Sequence, residues 1–227
     1  MKGVEMVRAT PRLSLWEMLQ KPPEIFAGIM PLQRDLFAHR LFLRRCQKLD
    51  APELLQLQKK NRQYLCEWLQ PQPELLRIED VRNMIAEDHV FARKGLRLDL
   101  GIFSLENNAL LGRIALHSVD YGIQRSAGLS YWIDQDHTGQ GLAREAIATL
   151  VSFAFEEACL HRVWLNIVTH NKASLAVARR LGFKKEGELR QSLFVNGKWH
   201  DSILLTMLEH DYDSIADDWI GKKYLGV

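Results

Sequence analysis

Tyr131-Trp132-Ile133-Asp134-Gln135-Asp136-His137-Thr138-Gly139-Gln140-Gly141-Leu142-Ala143 is the stretch that decides the fold. An apolar strand-like run ends, two glycines stand one residue apart, and a long apolar-striped segment begins at once. Glycine lets the main chain approach a bulky anion. The first free N–H groups of a helix point at such a group, and the helix dipole favours its negative charge. Taken alone, Gly-x-Gly before a helix also fits a plain loop-to-helix turn. A dinucleotide-binding turn fits poorly, because the third glycine of that pattern is replaced by Arg144.

On the C-terminal side, Leu142, Ile147, Leu150, Val151, Ala154 and Phe155 form a helical stripe, so a helix is expected over residues 140–158. Val163–Val168 is a short β-rich run. Asn171–Leu181 reads as a second helix with Asn171 as N-cap and Gly182 as its stop. Residues 184–195 and 198–208 read as strands joined at Asn196-Gly197, the strongest short hairpin signal in the chain.

On the N-terminal side, Ala127–Ile133 is a strand, preceded by a hairpin over 96–105 and 109–117 turning at Glu106-Asn107-Asn108. Helices are expected from Asp50-Ala51-Pro52 to Pro71, with Asp50 as N-cap, and from Ile78 to about Lys94, stopped by Gly95. Leu41–Arg44 opens the pattern as a strand. The order β-α-α-β-β-β-α-β-α-β-β implies an α+β, or mixed α/β, layer structure around one sheet.

The ordered run of motifs carries a resemblance. Asn61-Arg-Gln-Tyr-Leu-Cys-Glu-Trp68, Leu129-Ser-Tyr-Trp-Ile133, Gly139-Gln-Gly-Leu-Ala143, Asn171-Lys-Ala-Ser174, Leu181-Gly-Phe183, Glu186-Gly187 and Gly197-Lys-Trp-His-Asp201 resemble the RimJ/RimL branch of the GNAT acetyltransferases. The likeness spans about Arg40 to Tyr212. It implies a GNAT fold with a single, mostly antiparallel sheet flanked by helices, and acetyl-CoA as cofactor. It further implies that the strand ending at Ile133 splays from 163–168 and that the pantetheine arm fills the gap.

In the same reading Ile133 offers its N–H to the thioester carbonyl, a one-donor form of an oxyanion hole. Thr138, Gly139, Gln140, Gly141, Leu142 and Ala143 cradle the pyrophosphate. Asn171 orients the pantetheine arm and Ser174 protonates the leaving thiolate. Lys172, Arg179 and Arg180 are candidates for the 3′-phosphate. The chain departs from the family pattern at Asp136, Gly128 and Leu193, where relatives often carry Gln or Arg, Glu, and a carboxylate. Glu188, His117, Asp120 and His170 are therefore the remaining candidates for a general base.

Composition narrows the rest. With 30 basic and 28 acidic residues the net charge is +2, which argues against a protein built to coat nucleic acid. Cys46, Cys66 and Cys159 lie far apart, without metal-ligand spacing, and read as free thiols, so no metal is expected. No apolar run approaches the ~20 residues of a membrane helix. The first twenty residues lack a signal-type apolar core, so a cytoplasmic location is expected. Residues 1–38, with four prolines, read as an extension with one helical candidate near Leu13–Gln20; 39–212 read as the acetyltransferase domain and 213–227 as a tail. The expected acceptor is a protein or peptide N-terminus, a ribosomal one by the resemblance, in a groove between the 68–73 loop and the 194–199 hairpin. The alternatives are a small amine (polyamine, amino sugar or antibiotic) or a catalytically silent CoA-binding regulatory module. A homodimer is compatible with the resemblance.

Overall fold

The computed structural model describes residues 32, 34–69 and 77–225. The helical candidate at Leu13–Gln20 and the stop at Pro71 lie outside these residues. Eight strands form one sheet: β1 (Leu36–Phe37), β2 (Leu41–Arg44), β3 (Leu98–Ser104), β4 (Leu110–Asp120), β5 (Ser126–Ile133), β6 (Arg162–Val168), β7 (Lys184–Val195) and β8 (Lys198–Leu208). Their spatial order is β1-β2-β3-β4-β5-β6-β8-β7. Every neighbouring pair is antiparallel except β5 and β6, which are parallel. The α+β expectation holds, with one short strand, β1, that the sequence reading had placed in the extension.

Period-2 alternation sorts the strands between two cores. Leu41 and Leu43 of β2, with Leu98, Leu100 and Ile102 of β3, face the main core. Phe42 and Phe103 point the other way, into a smaller cluster. That smaller cluster is covered by α1 (Ala51–Lys60) and α3 (Ile78–Arg93) through Leu54, Leu57, Val81 and Ile85. The main core is covered by α4 (Leu142–Glu156) and α5 (Lys172–Arg180). α4 is buried on nearly every side, which explains why its apolar stripe is so wide.

Most turns follow their chemistry. Asn196 and Gly197 both have positive φ, 49° and 74°, the pair that a two-residue hairpin turn demands. Gly95 and Gly182, at φ 68° and 89°, close α3 and α5.

Three expectations shift. The helix expected from Asp50 onward breaks at Asn61 into α1 and α2 (Arg62–Cys66). Asp50 does precede α1, but its carboxylate grips Arg44 at 2.7 and 2.9 Å and accepts the Gln47 N–H rather than capping the helix. The expected domain ends in α6 (Glu209–Asp213), and the expected tail carries α7 (Ala216–Gly221), whose Trp219 is 1% exposed and packs edge-on against Tyr212. Burying a side chain of that kind contributes about 2–3 kcal/mol, so the packed body runs past Tyr212. No helix among the described residues is long and apolar enough to cross a membrane.

Candidate active site

The sheet opens where β5 and β6 part. They pair only at Ser126–Arg162, Ala127–Val163 and Gly128–Trp164. Beyond these, β5 stays with β4 as far as Ile133, and β6 stays with β8 as far as Val168. A cleft of about 380 Å³ fills the wedge. Its walls include Leu129–Ile133, Leu165–Val168, Tyr64, Leu65, Trp68 and Leu69, and its floor runs into the glycine loop and α5.

The direction of one amide follows from its neighbour. The Asp134 N–H bonds the Leu111 carbonyl of β4 at 2.7 Å. Successive amides of an extended chain point to opposite sides, so the Ile133 N–H faces the wedge. Nothing on β6 meets it, because the pairing has already ended at Gly128.

Next comes the glycine loop. Gly139 and Gly141 have φ 76° and 85°, in the left-handed region that other residues avoid. A Cβ at Gly139 would meet nothing within 4 Å, so an open approach lies before that backbone. Gly141 caps α4, whose first amides have no preceding carbonyl to bond. A left-handed glycine pair, open space and free helical amides together fit a diphosphate.

Polar contacts anchored on the buried carboxylates of Glu145 and Asp134 hold the loop. Arg40 donates from Nε to Glu145 at 2.7 Å and from Nη2 to the Gln140 carbonyl at 2.8 Å. Glu145, with 5% of its side chain exposed, anchors that brace inside α4. On the other flank Asp134 receives Lys60 at 2.6 Å and Asn61 at 2.9 Å, and stands 3.1 Å from His137 Nδ1. Burial alone would raise the Asp134 pKa, but the bonds from Lys60, Asn61 and His137 prevail and hold it below the usual carboxylate range. Asp136, where the family pattern has Gln or Arg, is taken up by Lys60 at 2.7 Å.

Of the expected site residues, Ile133, Thr138, Gly139, Gly141, Leu142, Ala143, Asn171 and Ser174 all line the cleft. Gln140 does not; its amide donates to the Asp136 carbonyl and its own carbonyl serves Arg40. Asn171 caps α5 by accepting the Ser174 N–H at 3.1 Å. Arg180 reaches the cleft, whereas Lys172 and Arg179 do not line it.

Glu188 requires correction. It sits on β7 with 52% of its side chain exposed, paired with Lys185, and does not line the cleft. The other base candidates stand outside as well. His117 lies edge-on against Trp164, Asp120 caps the Gly122 amide, and His170 lies tilted between Trp68 and His200. The His117–Trp164 pair occupies the space above Gly128, where a Cβ would lie 2.7 Å from the Trp164 ring.

Tyr131 was quoted in the motif run but given no role. Its side chain lines the same cleft as Ser174, and burial pushes the pKa of its phenol up to about 12, so it stays protonated. The signal was available: one strand residue before Trp132 shares a face with Ile133 and Leu129. Arg40, Glu145 and Lys60 were missed too, since their contacts span 74 to 105 residues of sequence. Among the described residues, no group of three His, Cys, Asp or Glu could hold a metal ion.

Comparisons with known proteins agree with this geometry. A family model described as an acetyltransferase (GNAT) domain matches residues 40–184. The Bacillus subtilis protein named "Probable N-acetyltransferase YjcK" is 30% identical over 172 residues, 75% of this chain and 95% of the relative. The [ribosomal protein uS5]-alanine N-acetyltransferase of Escherichia coli is 28% identical over 191 residues, 78% of this chain and 92% of the relative. Among solved structures, RimL, a ribosomal L7/L12 alpha-N-protein acetyltransferase in complex with coenzyme A, is 25% identical with a TM-score of 0.72, covering 77% of this chain and 98% of that one.

Proposed function

This chain belongs to the GNAT acetyltransferase family, and we propose that it transfers an acetyl group from acetyl-CoA to the N-terminal α-amine of a protein, a ribosomal protein being the leading candidate. Acetyl-CoA, when bound, supplies the acetyl group as an activated thioester. The chain's own residues hold, orient and protonate. The amides of 138–143 and the α4 N-terminus hold the diphosphate. The Ile133 N–H, aimed into the wedge, donates to the thioester oxygen. Ser174, in the same cleft as the protonated Tyr131 phenol, gives a proton to the departing sulfur, and the proton that the amine loses on attack restores the hydroxyl through water. Apolar walls from Leu129, Leu165, Ile167 and Leu193 keep water away from the reacting atoms.

The choice of acceptor rests on one observation: among the described residues lining the cleft, none is Asp or Glu. A polyamine carries several positive charges, and a cleft without carboxylates gives them no partner. It also gives an amine no immediate carboxylate base. An α-amine, with pKa near 7.7–8.0, is about a tenth to a sixth neutral at pH 7, whereas a lysine is neutral about once in 2,500. The α-amine therefore reacts without a strong base. The similarity to enzymes named for ribosomal protein N-termini supports the same reading.

The test is a thiol-release assay with acetyl-CoA, comparing N-terminal peptides of ribosomal proteins with spermidine and an aminoglycoside. Turnover confined to the peptides is expected. Turnover confined to spermidine would refute the acceptor assignment. Cofactor binding without turnover on any amine would favour a regulatory CoA-binding module.

A further inference from the structure

We propose that Asn61, with Lys60 beside it, is the positioning latch that sets the glycine loop for its ligand. The proposal rests on reading 133–143 as the cofactor cradle. Asn61 is fully buried, at 0% exposure, and its amide is almost fully used. Nδ2 donates to the Leu57 carbonyl and to Asp134 Oδ1, each at 2.9 Å, while Oδ1 accepts the Gln135 N–H at 2.8 Å. The first of these bonds stays within the helix, four residues back. The other two reach 73 and 74 residues along the chain, to the pair that follows Ile133.

The bond to Gln135 decides where the main chain goes. Of three successive amides, that of Asp134 is taken by Leu111 and that of Gln135 by Asn61, which leaves the Ile133 amide facing the wedge. Lys60 repeats the grip from outside, bridging Asp134 at 2.6 Å and Asp136 at 2.7 Å. Asn61 also stands at the break between α1 and α2, and Tyr64, Leu65 and Trp68 beyond that break line the opposite wall. A single buried amide therefore fixes the spacing between the acceptor-side wall and the cradle. It touches no ligand and acts only through 134 and 135.

The experiment uses the full chain and two variants, Asn61→Ala and Val81→Ala. The second removes buried volume beneath α3 in the smaller core, away from the loop. Calorimetry gives the acetyl-CoA Kd and thermal unfolding gives the stability loss. Asn61→Ala is expected to weaken acetyl-CoA by about tenfold, equivalent to about 1.4 kcal/mol. Val81→Ala is expected to lose comparable thermal stability with its Kd within about twofold of the unaltered chain. Unchanged affinity in Asn61→Ala, or an equal loss in Val81→Ala, would overturn the latch. Should Asn61→Ala not fold, Lys60→Met carries the test: a Kd raised about threefold supports the latch and an unchanged Kd overturns it. An unaltered chain that binds no acetyl-CoA would instead refute the cradle reading, and the latch with it.

Discussion

Gly139→Ala separates backbone strain from ligand exclusion. At φ 76° an alanine occupies the left-handed region, at a cost of about 1–2 kcal/mol. For a chain of this size that lowers Tm by about 2–8 °C. No atom lies within 4 Å of the new methyl, so steric strain adds nothing in the free protein. With the diphosphate in its cradle, the methyl stands where the anion meets the amides. Losing one charge-assisted hydrogen bond there costs about 1.5–3 kcal/mol, or about 10- to 150-fold in Kd. Gly141→Ala provides the contrast. Its methyl would lie 2.8 Å from Arg144 Nη2 and 3.4 Å from Arg40 Nη2, so it disturbs the brace even without ligand. Calorimetric titration with acetyl-CoA, paired with thermal unfolding of both variants, is the assay. A Gly139→Ala protein with the expected Tm loss and an unchanged Kd would refute the assignment of the cradle.

Three further outcomes are expected. Ser174→Ala should lower kcat by about 10²-fold, as for loss of a general acid, with acetyl-CoA affinity unchanged; stopped-time kinetics against calorimetry tests this, and an unaltered kcat removes Ser174 from the chemistry. On a peptide acceptor, kcat/KM should rise tenfold per pH unit up to about pH 7.7–8.0 and then level off, following deprotonation of the α-amine; a plateau already at pH 6 would mean that the neutral amine is not what reacts. The Asp134 carboxylate, held below its usual range, contributes stability above the unfolded pKa near 3.9 that is lost as pH falls through the folded value; Asp134→Asn should flatten the acid limb of Tm against pH below about 4, and an identical limb would show that the pairing is not linked to folding.

The sequence disclosed the site's main chain better than its side chains. Glycine spacing, the Asn-Gly hairpin and the stripe from Leu142 to Phe155 are local signals, and each lies where expected. The parting of β5 and β6 followed from the family resemblance, not from any residue pattern. Asn61 looked like part of a continuous helix because its neighbours keep helical spacing; its break is set by a partner 73 residues away. Glu188 was a reasonable base by residue type. β7 is the edge strand of the sheet and exposed along most of its length, so Glu188 pairs with Lys185 at the surface instead, and no local rule could have excluded it. Trp219 was unreadable for a different reason, since a short helix after a strand gives no sign of which core it will join.

Calorimetric titration of the full chain with acetyl-CoA, followed in the same sample by thiol release against an N-terminal ribosomal peptide and spermidine, tests the account most directly. Saturable binding with turnover on the peptide and none on spermidine is the result the account predicts. Absence of acetyl-CoA binding would contradict it at the cofactor cradle, and turnover on spermidine alone would contradict it at the acceptor.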